Sequence, residues 1–177
     1  MAMIMKSNTI ADSITALGNF LAPIYKSRDD TWTMKEEIAY VENYVKIMNY
    51  RFGGQIRTGY EIPDEISSLY ILKFILQPLV ENAIIHGISP KGQGGRIHVR
   101  SWMEGRRIWI SVADTGRGMA QERLEEIRRA LARGEEKATG VGVGNIYRRV
   151  HGMYQDGEIF IYSSEGRGTV VQMAFTP

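Results

Sequence analysis

The sequence predicts an α+β fold: a two-layer α/β sandwich in which helices cover one face of a mixed sheet, preceded by a helical segment. Three observations predict it. Apolar residues recur at helical spacing through residues 7–48. Two pairs of β-like runs, each joined by a glycine-containing turn, occupy residues 96–113 and 158–175. One apolar helix, LQPLVENAIIHG at residues 76–87, stands before the first pair. Helices mixed with hairpins fit one sheet covered on one face better than a strand-helix-strand repeat.

The 177 residues suffice for one well-buried domain plus an appendage, and a hydrophobic content of 44% is ordinary for a globular chain. The 22 Lys and Arg nearly balance the 20 Asp and Glu, so a net charge of +2 gives no general attraction to nucleic acid or anionic membrane. The absence of cysteine excludes disulfides, cysteine-based zinc sites and thiol nucleophiles. No apolar run reaches the length of a membrane span, and the start, MAMIMKSN, lacks the apolar region of a signal peptide.

In chain order, Ile10, Ile14, Leu17, Leu21 and Ile24 predict an amphipathic helix over residues 7–26, with Pro23 near its end. Thr33 and Glu36 have the spacing of a capping box and open a second helix. Its core stripe is Ile38, Val41, Val45 and Met48, with Tyr40 and Tyr44, and Gly53-Gly54 ends it. Two such helices bury their faces against the following domain or against a second copy, and both readings stand. A strand over residues 56–62 and a turn at Pro63-Asp64 lead to the central helix.

On that helix Leu76, Leu79, Val80, Ala83 and Ile84 form an apolar stripe, with Glu81, Asn82, Ile85 and His86 partly or wholly off it. Pro78 is accommodated if it lies in the first turn, so the helix should begin near Leu76. Asn82 and His86 project one turn apart from the same face, where a ligand can meet both. Taken alone, the stretch reads as a core helix with one capped Asn and one satisfied His.

Beyond Gly87, a Gly- and Pro-containing loop leads to strands at 96–103 and 107–113 joined at Glu104-Gly105, with Trp102 and Trp109 as sheet-face packing. Residues 121–133, crowded with Glu and Arg at ion-pair spacing, read as a solvated surface helix. Few apolar anchors over residues 120–139 predict a lid. A helix over 143–153 and strands at 158–162 and 169–175 complete the chain, with Gly166 and Gly168 read as a hairpin turn only.

Two glycine-rich segments carry chemistry. In DTGRGM, residues 114–119, a carboxylate stands at a strand's end with Gly116 and Gly118 just beyond it. A buried Asp there can accept from the exocyclic amine of adenine while the glycines make room for the base; an isolated DTG is a tight turn in which Asp caps its own backbone. In TGVGVGN, residues 139–145, backbone amides precede a helix and can line an anion site. The spacing is neither GxGxxG nor a P-loop.

The order of these motifs resembles the GHKL, or Bergerat-fold, nucleotide-binding superfamily over residues 51–177. Within it, LQPLVENAIIHG and the preceding VENYVKIMNYRFG are similar to sensor histidine kinases of the LytS/YehU type from bacterial two-component systems. The resemblance implies a protein-histidine kinase that uses ATP and Mg2+. Asn82 would hold the magnesium ion, Glu81 would polarise the acceptor nucleophile, and Asp114 would hold the adenine amine. Gly116, Gly118 and Met119 would shape the base pocket; Thr139, Gly140, Gly142, Gly144 and Asn145 would form the phosphate lid, and Thr169 would line the nucleotide site. Ile85 stands where related kinases often carry lysine, which leaves His86, Arg117 and Lys137 as candidate phosphate cations.

The resemblance further implies that residues 1–50 belong to the dimerisation and phosphoacceptor region and residues 51–177 form the ATP-binding catalytic domain. No histidine precedes His86, so the acceptor is expected on a helix upstream of this segment. The implied partners are that helix, a cognate response regulator and a second copy of the chain, in the cytoplasmic domain of a membrane-anchored receptor. Serine kinases and ATPases on the same fold place a carboxylate base four residues before the magnesium-binding Asn; here that residue is Pro78. A non-catalytic nucleotide sensor is the third reading.

Overall fold

The computed structural model describes residue 18 and residues 29–134 and 141–177, with no side-chain description at 141 and 142. The helix expected over residues 7–26 lies outside the described residues except at Gly18, which is helical. The ordered elements are β1 (Thr31–Thr33), α1 (Met34–Arg51), β2 (Ile56–Glu61), α2 (Asp64–Ser67), β3 (Tyr70–Leu72), α3 (Gln77–Asn82), β4 (Gly95–Glu104), β5 (Arg107–Asp114), α4 (Gln121–Ala132), α5 (Val141–Met153), β6 (Glu158–Ser164) and β7 (Gly168–Phe175). Among the described residues no helix is long and apolar enough to cross a membrane.

Five strands form one mixed sheet in the order β2-β4-β5-β7-β6, parallel only between β2 and β4. Alternation along the strands sends Ile97, Val99, Ile108, Ile110, Val112, Val171, Met173 and Phe175 to one face, where all are buried. The helices pack on that face, as the two-layer reading expects. The opposite face carries a stacked row of Trp102, Trp109 and Phe160, with successive ring centroids 5.7 Å apart, and the Glu61–His98 and Glu61–Arg100 ion pairs. Trp102 and Trp109 are thus sheet-face packing.

The capping box at Thr33 forms as expected, with Glu36 N–H donating to Thr33 Oγ1 at 3.2 Å and Thr33 N–H to Glu36 Oε2 at 2.7 Å. Its helix ends at Arg51, and Gly53 and Gly54 turn the chain in left-handed conformations. Of the expected stripe Tyr40, Val41, Tyr44 and Val45 are buried while Ile38 and Met48 are half-buried, and Met34 and Glu37 are buried in addition. Within the described residues α1 shares one core with the elements that follow, since Trp32, Met34 and Tyr40 pack in the same cluster as Ile71, Leu76 and Val80. β1, β3 and α2 were not expected. β1 and β3 are three-residue strands that pair antiparallel beside this core.

Glu37 is wholly buried. Its carboxylate accepts from Trp32 Nε1, from Phe74 N–H at 2.9 Å and from Leu76 N–H at 2.7 Å. Burial pushes the carboxyl up to about 7, against the pull of these donors. Tyr40, driven to about 12 by burial and then by Glu37, and Tyr154 feel the same charge, while Lys73 and Arg149 flank the Phe74 turn.

A folded pKa near 7, above the ordinary 4.5, means that this group's proton-linked stability is fully present below about pH 4.5 and is lost as pH rises through about 7. Relative to Glu37→Gln, whose amide does not titrate, the wild-type protein should therefore lose stability between pH 5 and pH 7.5. Urea denaturation of both proteins across that range checks it; a difference that is flat with pH would refute the linkage.

Candidate functional site

α3 starts where expected, with Leu76 as the preceding cap residue and Pro78 in the first turn, where its missing N–H leaves no bond unmade. Past Asn82 the helix widens into a π-helical turn, Ala83–Ile88. Such wide turns concentrate at functional sites. Asn82, Ala83, His86 and Gly87 all line one cavity of about 300 Å³.

The opposite wall comes from the sheet. Val112 and Asp114 of β5 line the cavity, with Arg117, Gly118 and Met119 of the following turn and Ile161, Thr169 and Val171 of the last hairpin. Arg123 and Ile127 of α4 and Val143 of α5 complete it. The lining is largely apolar, which suits a flat ring system; Asn82, His86, Asp114, Arg117, Arg123 and Thr169 supply the polar groups.

Asp114 Oδ1 accepts from Gly116 N–H at 2.7 Å, so the self-capped turn forms while the carboxylate also lines the cavity. Burial pushes its carboxyl up, and the N–H groups of Gly116 and Thr169 together with Lys91 pull it down. The Asn82 side-chain nitrogen is buried and has no hydrogen-bond partner among the described residues. An unpaired buried amide is costly unless a guest meets it.

Glycines let three stretches of backbone meet around Asp114. A Cβ on Gly87 would lie 2.8 Å from Asp114 Oδ1, and one on Gly116 would fall on the Gly87 backbone. One on Gly118, at φ 66°, would fall on the Ser164 carbonyl, and one on Gly168, at φ 98°, on the Asp114 carbonyl. Arg117 N–H donates to Gly87 O at 2.9 Å, Arg117 Nε to His86 O at 3.1 Å, and Met119 N–H to Ser163 Oγ at 2.9 Å. Gly166 is an ordinary turn residue in open space, but Gly168 packs against the Asp114 carbonyl, which the turn-only reading missed.

Several residues singled out from the sequence stand elsewhere. Glu81 does not line the cavity; its charge is felt by Tyr44 of α1, whose phenol is driven to about 12 by burial and then by Glu81. Asn145 lines a different groove with Gln77, Pro78 and Arg149, and Arg148 donates to its Oδ1 at 2.7 Å. Gly142 and Gly144 lie in the first turn of α5, and Gly144 is buried. Thr139, Gly140 and Lys137 lie outside the described residues. His98 is on the far sheet face, and His151, stacked on Tyr147, is exposed near the end of α5.

α4 departs from the expected solvated surface helix in having a buried side. Leu124, Ile127, Ala130 and Leu131 are buried, and the ion pairs Arg123–Glu126 and Arg128–Glu125 are only partly exposed, Arg128 also donating to Ile161 O at 2.7 Å. Through Arg123 and Ile127 the helix reaches the cavity. Residues 120–132 of the expected lid are thus a packed cap on the site.

The family model for the histidine kinase-, DNA gyrase B- and HSP90-like ATPases matches residues 70–177, and a histidine kinase model matches residues 1–56. The chain belongs to the histidine kinase-, DNA gyrase B- and HSP90-like ATPase family. Over 156 residues it is 32% identical to an uncharacterized sensor-like histidine kinase of Staphylococcus epidermidis, covering 86% of this chain and 30% of that protein. Over 159 residues it is 28% identical to the sensor protein kinase HptS of Staphylococcus aureus, covering 89% and 30%. The chain thus spans about a third of the length of these curated relatives.

Among solved structures, the catalytic domain of the histidine kinase ThkA superposes with a TM-score of 0.60 at 18% identity, over 82% of this chain and 94% of that one. ThkA in complex with the response regulator protein TrrA gives 0.59 at 19% identity, over 95% and 49%. The histidine kinase domain of the blue-light activated histidine kinase from Erythrobacter litoralis EL346 gives 0.58 at 18% identity, over 95% and 74%. These likenesses establish the fold.

The glycine junction yields a graded expectation. Gly166→Ala, left-handed but in open space, should cost on the order of 1 kcal/mol. Gly118→Ala, equally left-handed and set against the Ser164 carbonyl, should cost about 3 kcal/mol or more, because backbone must move. Chemical denaturation of the two variants checks the ranking, and equal losses would refute the close packing at Gly118.

Proposed function

We propose that this chain is the ATP-binding catalytic part of a bacterial two-component sensor histidine kinase, and that it passes the ATP γ-phosphoryl to a histidine on a dimerisation helix not contained in these 177 residues. The single observation that carries the proposal is one apolar cavity lined at once by Asn82, with its unpaired buried amide, and by Asp114 at the end of β5. Family membership and the sensor-kinase relatives support it.

In this reading Asp114 accepts from the adenine amine, and the glycines around it let the base approach the backbone. The apolar walls, Leu79, Ala83, Val112, Met119 and Val171, exclude water from the ring. Asn82 fits as a protein ligand for magnesium, because an amide oxygen is a hard donor and rotation of the amide presents either its oxygen or its nitrogen to the cavity. Bound magnesium supplies charge neutralisation on the phosphates. Phosphate and water would complete the ion's coordination. Arg117, Arg123 and His86 are the basic side chains that line the cavity and can face the nucleotide's negative charge. The chain's work is positioning and electrostatics rather than covalent catalysis.

Residues 1–50 are proposed as the end of the dimerisation and phosphoacceptor region, with α1 docked on the catalytic unit of residues 51–177; the histidine kinase match over residues 1–56 supports this division. A cognate response regulator, a second copy of the chain and a cytoplasmic position in a membrane-anchored receptor follow from the same reading. A serine kinase or hydrolase on this fold lacks its base here, since Pro78 occupies that position.

Adenine nucleotides should bind about a hundredfold more tightly than guanine nucleotides, because Asp114 accepts from an amine but faces a carbonyl oxygen on guanine. Calorimetric titration with ADP and GDP checks this, and equal affinities would remove Asp114 from the base pocket.

The function itself is tested by supplying the missing acceptor helix in trans with Mg-ATP and mapping phosphate by mass spectrometry. Acid-labile, base-stable phosphate should appear on the histidine of the supplied helix and not on His86, His98 or His151. Phosphate on a serine of an added protein would point to the serine-kinase alternative, and binding without any transfer to the nucleotide sensor.

A further inference from the structure

The turn that launches α3, residues 73–76, is gripped from two directions. From α1, the wholly buried Glu37 takes the N–H groups of Phe74, at 2.9 Å, and Leu76, at 2.7 Å, and holds Trp32 Nε1 with the same carboxylate. From α5, Arg149 donates to the carbonyls of Lys73, at 2.5 Å, and Phe74, at 3.0 Å. Phe74 has φ 55°, a left-handed conformation that a phenylalanine adopts only when its surroundings impose it. The ring locks into Trp32 and Tyr40, each 5.0 Å away between centroids.

Neither Glu37 nor Arg149 lines the cavity that holds Asn82 and Asp114. Both act on the turn that leads into the helix carrying Asn82, which lies six residues past Leu76 and about 9 Å along the axis. The far end of that helical stretch is pinned separately, by Arg117 N–H on Gly87 O. With one end fixed at Gly87, release of the grip at residues 73–76 lets the helix pivot, and Asn82 lies on the moving arm.

We infer that Glu37 and Arg149 are positioning residues that set Asn82 through the Phe74 turn, forming one joint through which α1 and α5 both control the metal end of the nucleotide site. The inference rests on reading the cavity as a Mg-ATP site. Asp114 stands on β5, held by sheet neighbours on both sides, so the joint bears on the metal and phosphate end and leaves the adenine end in place.

The test is calorimetric binding to the full 177-residue chain of a non-hydrolysable ATP analogue with magnesium, and of ADP without metal. The proteins are wild type, Glu37→Gln, Arg149→Lys and the double variant. Glutamine turns one acceptor into a donor facing N–H groups, and lysine keeps the charge but cannot span two carbonyls. Each single variant should weaken Mg-analogue binding about tenfold and leave metal-free ADP within about twofold, and the double variant should lose about tenfold rather than a hundredfold because both act on one joint.

A merely structural role would lower both affinities together or neither, and either outcome overturns the inference, as would single losses that multiply in the double variant. If Glu37→Gln does not fold, Arg149→Lys alone must show the metal-selective loss, and failure to show it overturns the inference. Wild type that binds neither nucleotide defeats the reading of the site and this inference with it, whereas wild-type binding matched by the variants defeats the inference alone.

Discussion

The site depends on how closely backbone can approach backbone around Asp114. Three segments distant in sequence, the end of the Asn82 helix at Gly87, the turn at residues 115–118 and the start of β7 at Gly168, come together at separations that no Cβ would permit. This packing brings the Asn82 helix against the carboxyl end of β5 and leaves the Asp114 carboxylate as one wall of the cavity. A side chain at Gly87 or Gly116 would separate helix from strand and enlarge the gap between Asn82 and Asp114. The glycines therefore set the width of the cavity, and the apolar residues fill its walls.

Much of this was legible in the sequence, for physical reasons that differ by element. The apolar stripe from Leu76 to Ile84, the alternation in the two hairpins and the Thr33–Glu36 capping box are local patterns, and each appears where local physics places it. Asp114 on its own read as a self-capped turn, which does form, and only the order of the motifs along the chain singled it out. β1, β3 and α2 were not, because three or four residues are too short to show a period. The inner side of α4 was hidden because its Glu and Arg residues outnumber the four side chains that it buries.

The departures at single residues share a cause. Whether Glu81 lies at the cavity or near Tyr44, and whether Asn145 lines the cavity or the outer groove, depends on how each helix is rotated against its neighbours, and rotation is set by tertiary packing. Glu37 is the sharpest case. A glutamate in the first turn of a helix reads as a solvated, dipole-favouring residue, yet here it is the hydrogen-bonding centre of a buried turn. The signal that could have found it was spatial, namely a chain of N–H groups at residues 74–76 for which the sequence alone offers no acceptor.

The single parallel pairing in the sheet bears on how the protein comes to be folded. Antiparallel neighbours such as β4 and β5 close across a two-residue turn, but β2 and β4 pair in parallel and need everything from residue 62 to residue 94 as their crossover. That crossover contains β3, α3 and the π-helical turn, so the segment bearing Asn82 is itself the link between the two strands. The loop-closure entropy of this pairing is larger than that of either hairpin, and such contacts form late. The two hairpins can assemble from local contacts, whereas the segment bearing Asn82 is expected to settle together with closure of the parallel pair. Chain breaks or insertions at the exposed 104–106 turn should accordingly be borne far better than any within the crossover.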